Sequence, residues 1–206
     1  MSEQIRGIIL EGQSCSGKTS IFNAIKRCHL QEDDAERNVI YLAEHYSQNL
    51  NWVNGEFRTL SREDNLRVLS DRISMLEQLN NYANSMGMSS RHSRGLFFVF
   101  ERFHLNYANC FNEISSDEYV KLEQRLSNLN ALAVLCTISA DNTAQRLLHR
   151  ATYTKEEVTK ESIAQYIKNQ QSFVNCANKS TVPTIILNTD SMDWDGYARI
   201  ILEKIH

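Results

Sequence analysis

Proline is almost missing from this chain: Pro183 is the only one in 206 residues, and there are just seven glycines. A collagen-like, proline-rich or glycine-linker architecture is excluded by those counts. The five cysteines (Cys15, Cys28, Cys110, Cys136, Cys176) are odd in number and widely spaced, with no CxxC pair. They suggest neither a zinc site nor a disulfide framework. A basic excess is also lacking. Lys and Arg total 22 against 25 Asp and Glu, a net charge of −3, so no nucleic-acid polymer is expected as a partner. No apolar run approaches the roughly 18 residues of a membrane helix. The opening Met1-Ser2-Glu3-Gln4-Ile5-Arg6 has no apolar stretch of the signal-peptide kind. No membrane association is expected, and a cytoplasmic location is. What is present is 42% hydrophobic and 9% aromatic residues, enough to bury a sizeable core in a single domain spanning residues 1–206.

Hydrophobic runs alternate with helical patterns along the whole chain. Gly7–Leu10, Asn38–Ala43, Leu96–Phe100, Leu132–Ile138 and Thr184–Leu187 read as strands. Leu96–Phe100 is uninterrupted and apolar, as suits a central parallel strand covered on both faces. Helices are predicted at about Lys18–Leu30, Arg62–Met86, Asn106–Asn130 (as helical segments), Asp141–Arg150, Glu156–Asn178 and Trp194–Ile205. In the longest, Leu66, Leu69, Ile73, Leu76, Leu79 and Ala83 recur at three- and four-residue steps. Ser61 with Asp64 marks its start, and Thr154 with Glu157 is a second capping-box candidate. Strand and helix in alternation predict an α/β sandwich around a mostly parallel, five-stranded sheet.

The strongest chemical signal is Gly12-Gln13-Ser14-Cys15-Ser16-Gly17-Lys18-Thr19, a complete G-x-x-x-x-G-K-[ST] phosphate loop. Average composition yields this pattern in roughly one chain in a hundred, and here it also joins a predicted strand to a predicted helix. Its glycines let the backbone curl so that several N–H groups aim at one phosphate, with the positive helix end behind them. Gly12 to Ser20 are therefore the nucleotide-binding candidates, with ATP and Mg²⁺ as cofactors. Lys18, expected to be exposed, would reach the β- and γ-phosphates, and the Thr19 hydroxyl would ligate the metal. No Asn-Lys-x-Asp guanine signature follows a strand, since Asn188-Thr189-Asp190 lacks the lysine. The Thr189–Ser191 loop is expected beside adenine.

Ligands of open α/β sheets gather at the carboxyl ends of strands. Three acids fall there: Glu11, Glu44 and Glu101. Glu101 ends an apolar run and is the candidate Mg²⁺-side carboxylate, with the cation of Arg102 next to it. Glu44 would orient or deprotonate an acceptor hydroxyl. Arg146 and Arg150, four apart, would share one helix face over the phosphates. Trp52, Phe57 and Tyr82 are the candidate base-stacking aromatics. His45 and His104 lie near strand ends without metal-site spacing.

Taken together these motifs resemble the thymidylate kinase branch of P-loop nucleotide kinases, with deoxynucleoside kinases as close relatives. Ile8-Ile9-Leu10-Glu11-Gly12 through Thr19 resembles that branch's start, and Val68-Leu69-Ser70-Asp71-Arg72 its Asp-Arg helix motif. Glu101-Arg102-Phe103 is similar to its Asp-Arg-Tyr motif and to the Glu-Arg-Ser of nucleoside kinases. Gln145-Arg146-Leu147-Leu148-His149-Arg150 resembles the start of its lid, expected over about residues 141–157. The resemblance implies a P-loop NTPase three-layer sandwich, phosphoryl transfer from ATP, Arg72 on the acceptor monophosphate, Arg146 and Arg150 on the transferring group, and a homodimer. The sequence departs from the branch at Ala43-Glu44-His45-Tyr46-Ser47, where a Glu-Pro-Gly turn is usual, and in having Glu101 for Asp. Its lid is also less basic. A deoxynucleoside kinase, a P-loop ATPase and a nucleotide-sensing module without an acceptor remain alternatives.

Overall fold

The computed structural model describes residues 5–44, 50–53, 55–86, 94–113 and 115–205. Strands β1 (Ile5–Glu11), β2 (Asn38–Leu42), β5 (Leu96–Glu101), β6 (Ala131–Thr137) and β7 (Thr184–Asn188) form one parallel sheet in the order β2-β5-β1-β6-β7. Strands β3 (Leu50–Val53) and β4 (Glu56–Thr59) form a separate antiparallel hairpin. The helices are α1 (Lys18–His29), α2 (Arg62–Ser85), α3 (His104–Phe111), α4 (Asp117–Asn128), α5 (Ala140–Thr154), α6 (Lys160–Ala177) and α7 (Trp194–Lys204).

The side-chain period of two along a strand assigns the layers. Ile9 of β1, Phe98 and Phe100 of β5, and Ala133 and Leu135 of β6 face a core made with α2, α3, α4 and α6. Their sequence neighbours Ile8, Leu10, Phe97, Val99 and Val134 face the opposite core, made with α1 and α7. Helices thus cover both faces, and the fold is a P-loop-type three-layer sandwich, as the alternation of elements predicted.

Several boundaries follow the capping chemistry. Ser61 caps α2 by accepting the Asp64 N–H at 3.0 Å, as the sequence suggested. The predicted helical region 106–130 is two helices, because Asn112 turns left-handed (φ 50°) and ends α3. The Thr154/Glu157 capping box does not form. Thr154 is the last residue of α5, Lys155 terminates that helix with φ 59°, and α6 is capped four residues later by a Thr159–Ser162 box. Most of the stretch expected as a lid is therefore regular helix. The β3–β4 hairpin is an element that the sequence reading lacked.

At the amino-terminal edge of the sheet, Arg6 makes a two-pronged contact with Glu36 (2.8 and 3.1 Å), and His29 Nε2 lies 3.1 Å from the same carboxylate. His29 stacks on Phe97 with ring centroids 4.2 Å apart. All four side chains are buried, so this cluster fastens α1 and the segment before β2 to the sheet far from the strands' carboxyl ends.

Candidate functional site

The phosphate loop lies between β1 and α1, and its backbone requires glycine twice. Gly12 has φ +125°, and a Cβ there would stand 2.4 Å from the Cys136 carbonyl oxygen. Gly17 has φ +85°, and a Cβ there would stand 2.5 Å from the Trp194 ring. No acidic residue occupies the first turn of α1, so the positive helix end is uncompensated. Lys18 is only 4% exposed, which corrects the exposed lysine expected from sequence. Its Nζ donates to the Gln13 carbonyl at 2.7 Å, and burial draws its pKa down to about 8. Gln13 in turn donates through Nε2 to the Tyr166 carbonyl at 2.6 Å, tying the loop to α6.

Thr19 Oγ1 donates to Glu101 Oε1 at 2.8 Å. Glu101 closes β5 and is 1% exposed. The next residue, Arg102, has a left-handed backbone (φ 58°) and donates its own N–H to the Leu10 carbonyl at 2.8 Å. Its guanidinium spans two strand ends: Nε donates to Glu44 Oε2 at 2.5 Å and Nη2 to Ser14 Oγ at 3.1 Å. Glu44, Glu101, Arg102, Lys18 and Thr19 all line one cavity of about 600 Å³.

Helix α5 and the β7–α7 connection close the other side of that cavity. Arg146 and Arg150 both line it, on the one face that their spacing predicted. Arg146 Nη2 donates to the Thr189 carbonyl at 2.6 Å, and the guanidinium lies 5.4 Å from the centroid of the Trp194 ring. Asp190, from the Thr189–Ser191 loop, and Gln145 and His149, from the motif that resembles a lid start, also line the cavity, as do Asn142, Met192 and Trp194, to which the sequence assigned no role. The Trp194 indole bears on Gly17, so the start of α7 forms a wall of the loop. A tryptophan soon after the last strand of an α/β sheet was the available signal for it.

Not every expected residue arrives here. Glu11 is buried and faces away from the cavity. Its Oε1 accepts the N–H groups of Phe103 (3.0 Å) and Leu105 (2.9 Å), and burial pushes its pKa up to about 7. Tyr82, expected to bind substrate, is 66% exposed and lines a different groove with Asn38 and Leu96, at the amino-terminal edge of the sheet. Arg72 is half-buried on α2 and is not among the residues lining the phosphate-loop cavity. Trp52 and Phe57 pair by backbone across the hairpin; their side chains, and His45, lie outside the described residues. Among the described residues no cluster of three His, Cys, Asp or Glu side chains forms a metal site, and no helix is long and apolar enough to cross a membrane.

No protein-family model and no curated protein matches this chain. Solved structures do. The YorR protein of Bacillus subtilis, crystallised in complex with phosphorylated GDP, is similar over 97% of this chain and 95% of its own, with TM-score 0.62 at 12% identity. A protein of Chloroflexus aurantiacus covers 100% of this chain and 98% of its own at 14% identity, with TM-score 0.46. At such identity the likeness to YorR shows the shared fold, a P-loop-type α/β sandwich.

Proposed function

We propose that the protein transfers the γ-phosphoryl group of ATP to a nucleoside monophosphate, as the resemblance to the thymidylate kinase branch implies, with residues 1–206 acting as one catalytic unit. One observation carries this reading: the phosphate loop, Glu101, Arg102 and Glu44 converge on a single cavity at the carboxyl ends of β1, β5 and β2. The nucleotide bound to YorR supports nucleotide chemistry on this fold.

The residues present fit both cofactors. Glycine-shaped backbone at an uncompensated helix start suits a polyphosphate. A hydroxyl and a carboxylate 2.8 Å apart are hard oxygen ligands of the kind Mg²⁺ takes alongside phosphate and water. Bound there, the metal would neutralise charge developing on the phosphoryl oxygens. The chain's own part is positioning. Lys18 gives up the Gln13 carbonyl for phosphate oxygens, Arg102 holds Ser14 beside Glu44, and Arg146 and Arg150 border the donor side.

Arg72 supports a phosphate-bearing acceptor. Of the three arginines of α2, Arg62 pairs with Glu113 and Glu118, and Arg67 with Asp64. Arg72 has no such partner among the described residues, which suits it to a ligand's dianion. A second reading, a nucleoside acceptor, is favoured by Glu44. A phosphate oxygen is already an anionic nucleophile, whereas a hydroxyl needs a proton acceptor, and Glu44 stands in the cavity. ADP release from Mg·ATP, measured with a panel of nucleosides and monophosphates, tests both. Release only with monophosphates supports the first reading, and release with nucleosides the second. Acceptor-independent release identifies an ATPase, and binding without turnover a sensor.

A further inference from the structure

Glu11 is a fully buried acid one residue ahead of the phosphate loop, and the reaction just described gives it no part. A buried carboxylate is costly, so its partners say what it is there for. They are the N–H groups of Phe103 and Leu105, at 3.0 and 2.9 Å. These donors belong to the start of α3, whose N-cap residue, Phe103, has no side-chain oxygen and makes no capping bond of its own. A Ser or Asn at position 103 would cap the helix locally without burying a charge. Here the cap is delivered from β1 instead, and it binds one strand's end to the turn after its neighbour.

That turn carries the site. Glu101 and Arg102 sit between the end of β5 and the capped residues, and Arg102 holds a left-handed backbone that arginine rarely adopts. Three bonds from β1 hold it: the Leu10 carbonyl on the Arg102 N–H, and the Glu11 carboxylate on the N–H groups of Phe103 and Leu105. On one side of the turn Glu101 meets Thr19; on the other Arg102 meets Ser14 and Glu44. Behind Glu11 the support continues. His104 Nδ1 lies 3.6 Å from Glu11 Oε1, and His104 Nε2 lies 3.4 Å from Ser180 Oγ. Ser180 Oγ and the Thr181 N–H and hydroxyl all donate to the buried Glu123 carboxylate.

We infer that Glu11 is a positioning residue: its carboxylate, acting as a cap from another strand, fixes the strained turn that sets Glu101 and Arg102 against the phosphate loop. This rests on the phosphoryl-transfer reading, in which those two residues serve the reaction. Loss of the cap lets the turn relax, and the site loses alignment more than binding.

Three variants, Glu11→Ala, Glu11→Asp and Glu11→Gln, test it. Aspartate keeps the charge but is one methylene short of the amides, while glutamine keeps the length and an accepting oxygen. With Mg·ATP and the best acceptor of the panel, Ala and Asp are expected to lower kcat by roughly 10- to 100-fold, with acceptor KM changed less than about threefold. Gln is expected to restore kcat to within about threefold of the parent. An Ala or Asp variant with native near-UV circular dichroism and parental kcat overturns the inference. Should those two fail to fold, amide hydrogen exchange of the parent decides: Phe103 and Leu105 amides that exchange as fast as open loop amides overturn it, and protection comparable to β5 supports it. A parent without ATP turnover overturns the phosphoryl-transfer reading itself, an outcome distinct from an active parent indifferent to Glu11.

Discussion

The Thr19 hydroxyl donates to the Glu101 carboxylate at 2.8 Å across 82 residues of sequence. The contact joins the first residue pair of α1 to the last residue of β5, and both groups are hard oxygen ligands. Glu101→Gln keeps the shape and removes the charge. It is expected to raise the Mg²⁺ concentration needed for half-maximal turnover about tenfold or more, while nucleotide binding without Mg²⁺ changes little. Overlapping Mg²⁺ titrations of variant and parent would make Glu101 a purely structural acid.

Lys18→Ala is expected to lower ATP turnover by on the order of 10² or more, because the lost charge matters most when phosphoryl oxygens gain negative charge. The fold should survive the change, since the Gln13 carbonyl that Lys18 contacts also accepts from Ser16 Oγ at 2.8 Å. Initial rates compared with circular dichroism spectra separate the two effects. A well-folded variant with parental rates would refute the phosphate-loop assignment.

Arg72→Ala is expected to raise the KM for a monophosphate acceptor by roughly 10- to 100-fold, about 1.4–2.8 kcal/mol of lost charge-assisted contact. Glu44→Gln is expected to act mainly on kcat, and more strongly with a nucleoside acceptor than with a monophosphate. Steady-state kinetics on both acceptor classes gives the pattern. Arg72→Ala without effect on any acceptor would remove the monophosphate reading.

The acid response should come from the far side of the sheet. Burial works to raise the Glu36 carboxyl, but hydrogen bonds from His29 and Arg6 and the Arg6 charge outweigh it and hold the group far below the usual carboxylate range. A carboxylate depressed in the folded state contributes stability above its unfolded pKa of about 4.3, and loses it as pH falls toward the folded value. Glu36→Gln is therefore expected to cost up to about 3–5 kcal/mol at pH 7, because it removes the carboxylate that buried Arg6 and His29 share and leaves the more distant Glu32, at 3.6 Å, facing Arg6. The gap to the parent should shrink below about pH 4.5. Urea unfolding at pH 7, 5 and 3.5 measures it; a gap that stays constant with pH would contradict the assignment.

The five sheet strands were legible because a strand covered on both faces reads as an apolar run bounded by polar residues, as in Leu96–Glu101. The Gly12–Thr19 motif stands out in the sequence because its pattern is local, contained within eight positions, and the structure places it between β1 and α1 as its neighbours in sequence suggested. The hairpin was harder. Its four-residue strands are too short for a clear alternation, and the usable signal was the Asn54-Gly55 pair between them. The start of α6 was misread because Thr154-x-x-Glu157 and Thr159-x-x-Ser162 are alike as patterns. Only the left-handed Lys155 decides between them.

Site residues on long elements were the least legible. Arg72 and Tyr82 belong to one helix, yet at 1.5 Å per residue they stand about 15 Å apart along its axis. That separation carries Tyr82 to the amino-terminal edge of the sheet. Glu11 and Glu101 both close strands and look equivalent in sequence. Their different directions, one into the cavity and one beneath the turn, come from packing against α3 and α1.

The strand order also acts as a gauge. Glu44, the Glu101–Arg102 pair, the phosphate loop and the Thr189–Trp194 stretch follow β2, β5, β1 and β7, so they stand in a row along one edge. Neighbouring strands keep a separation of about 4.8 Å set by main-chain hydrogen bonds, which makes the row about 19 Å long across its four gaps. The spacing of the loops that leave those strand ends is thus written into the backbone. Repacking the side chains beneath it would change how firmly the sheet is held together, but not the spacing of the strand ends from β2 at one side to β7 at the other.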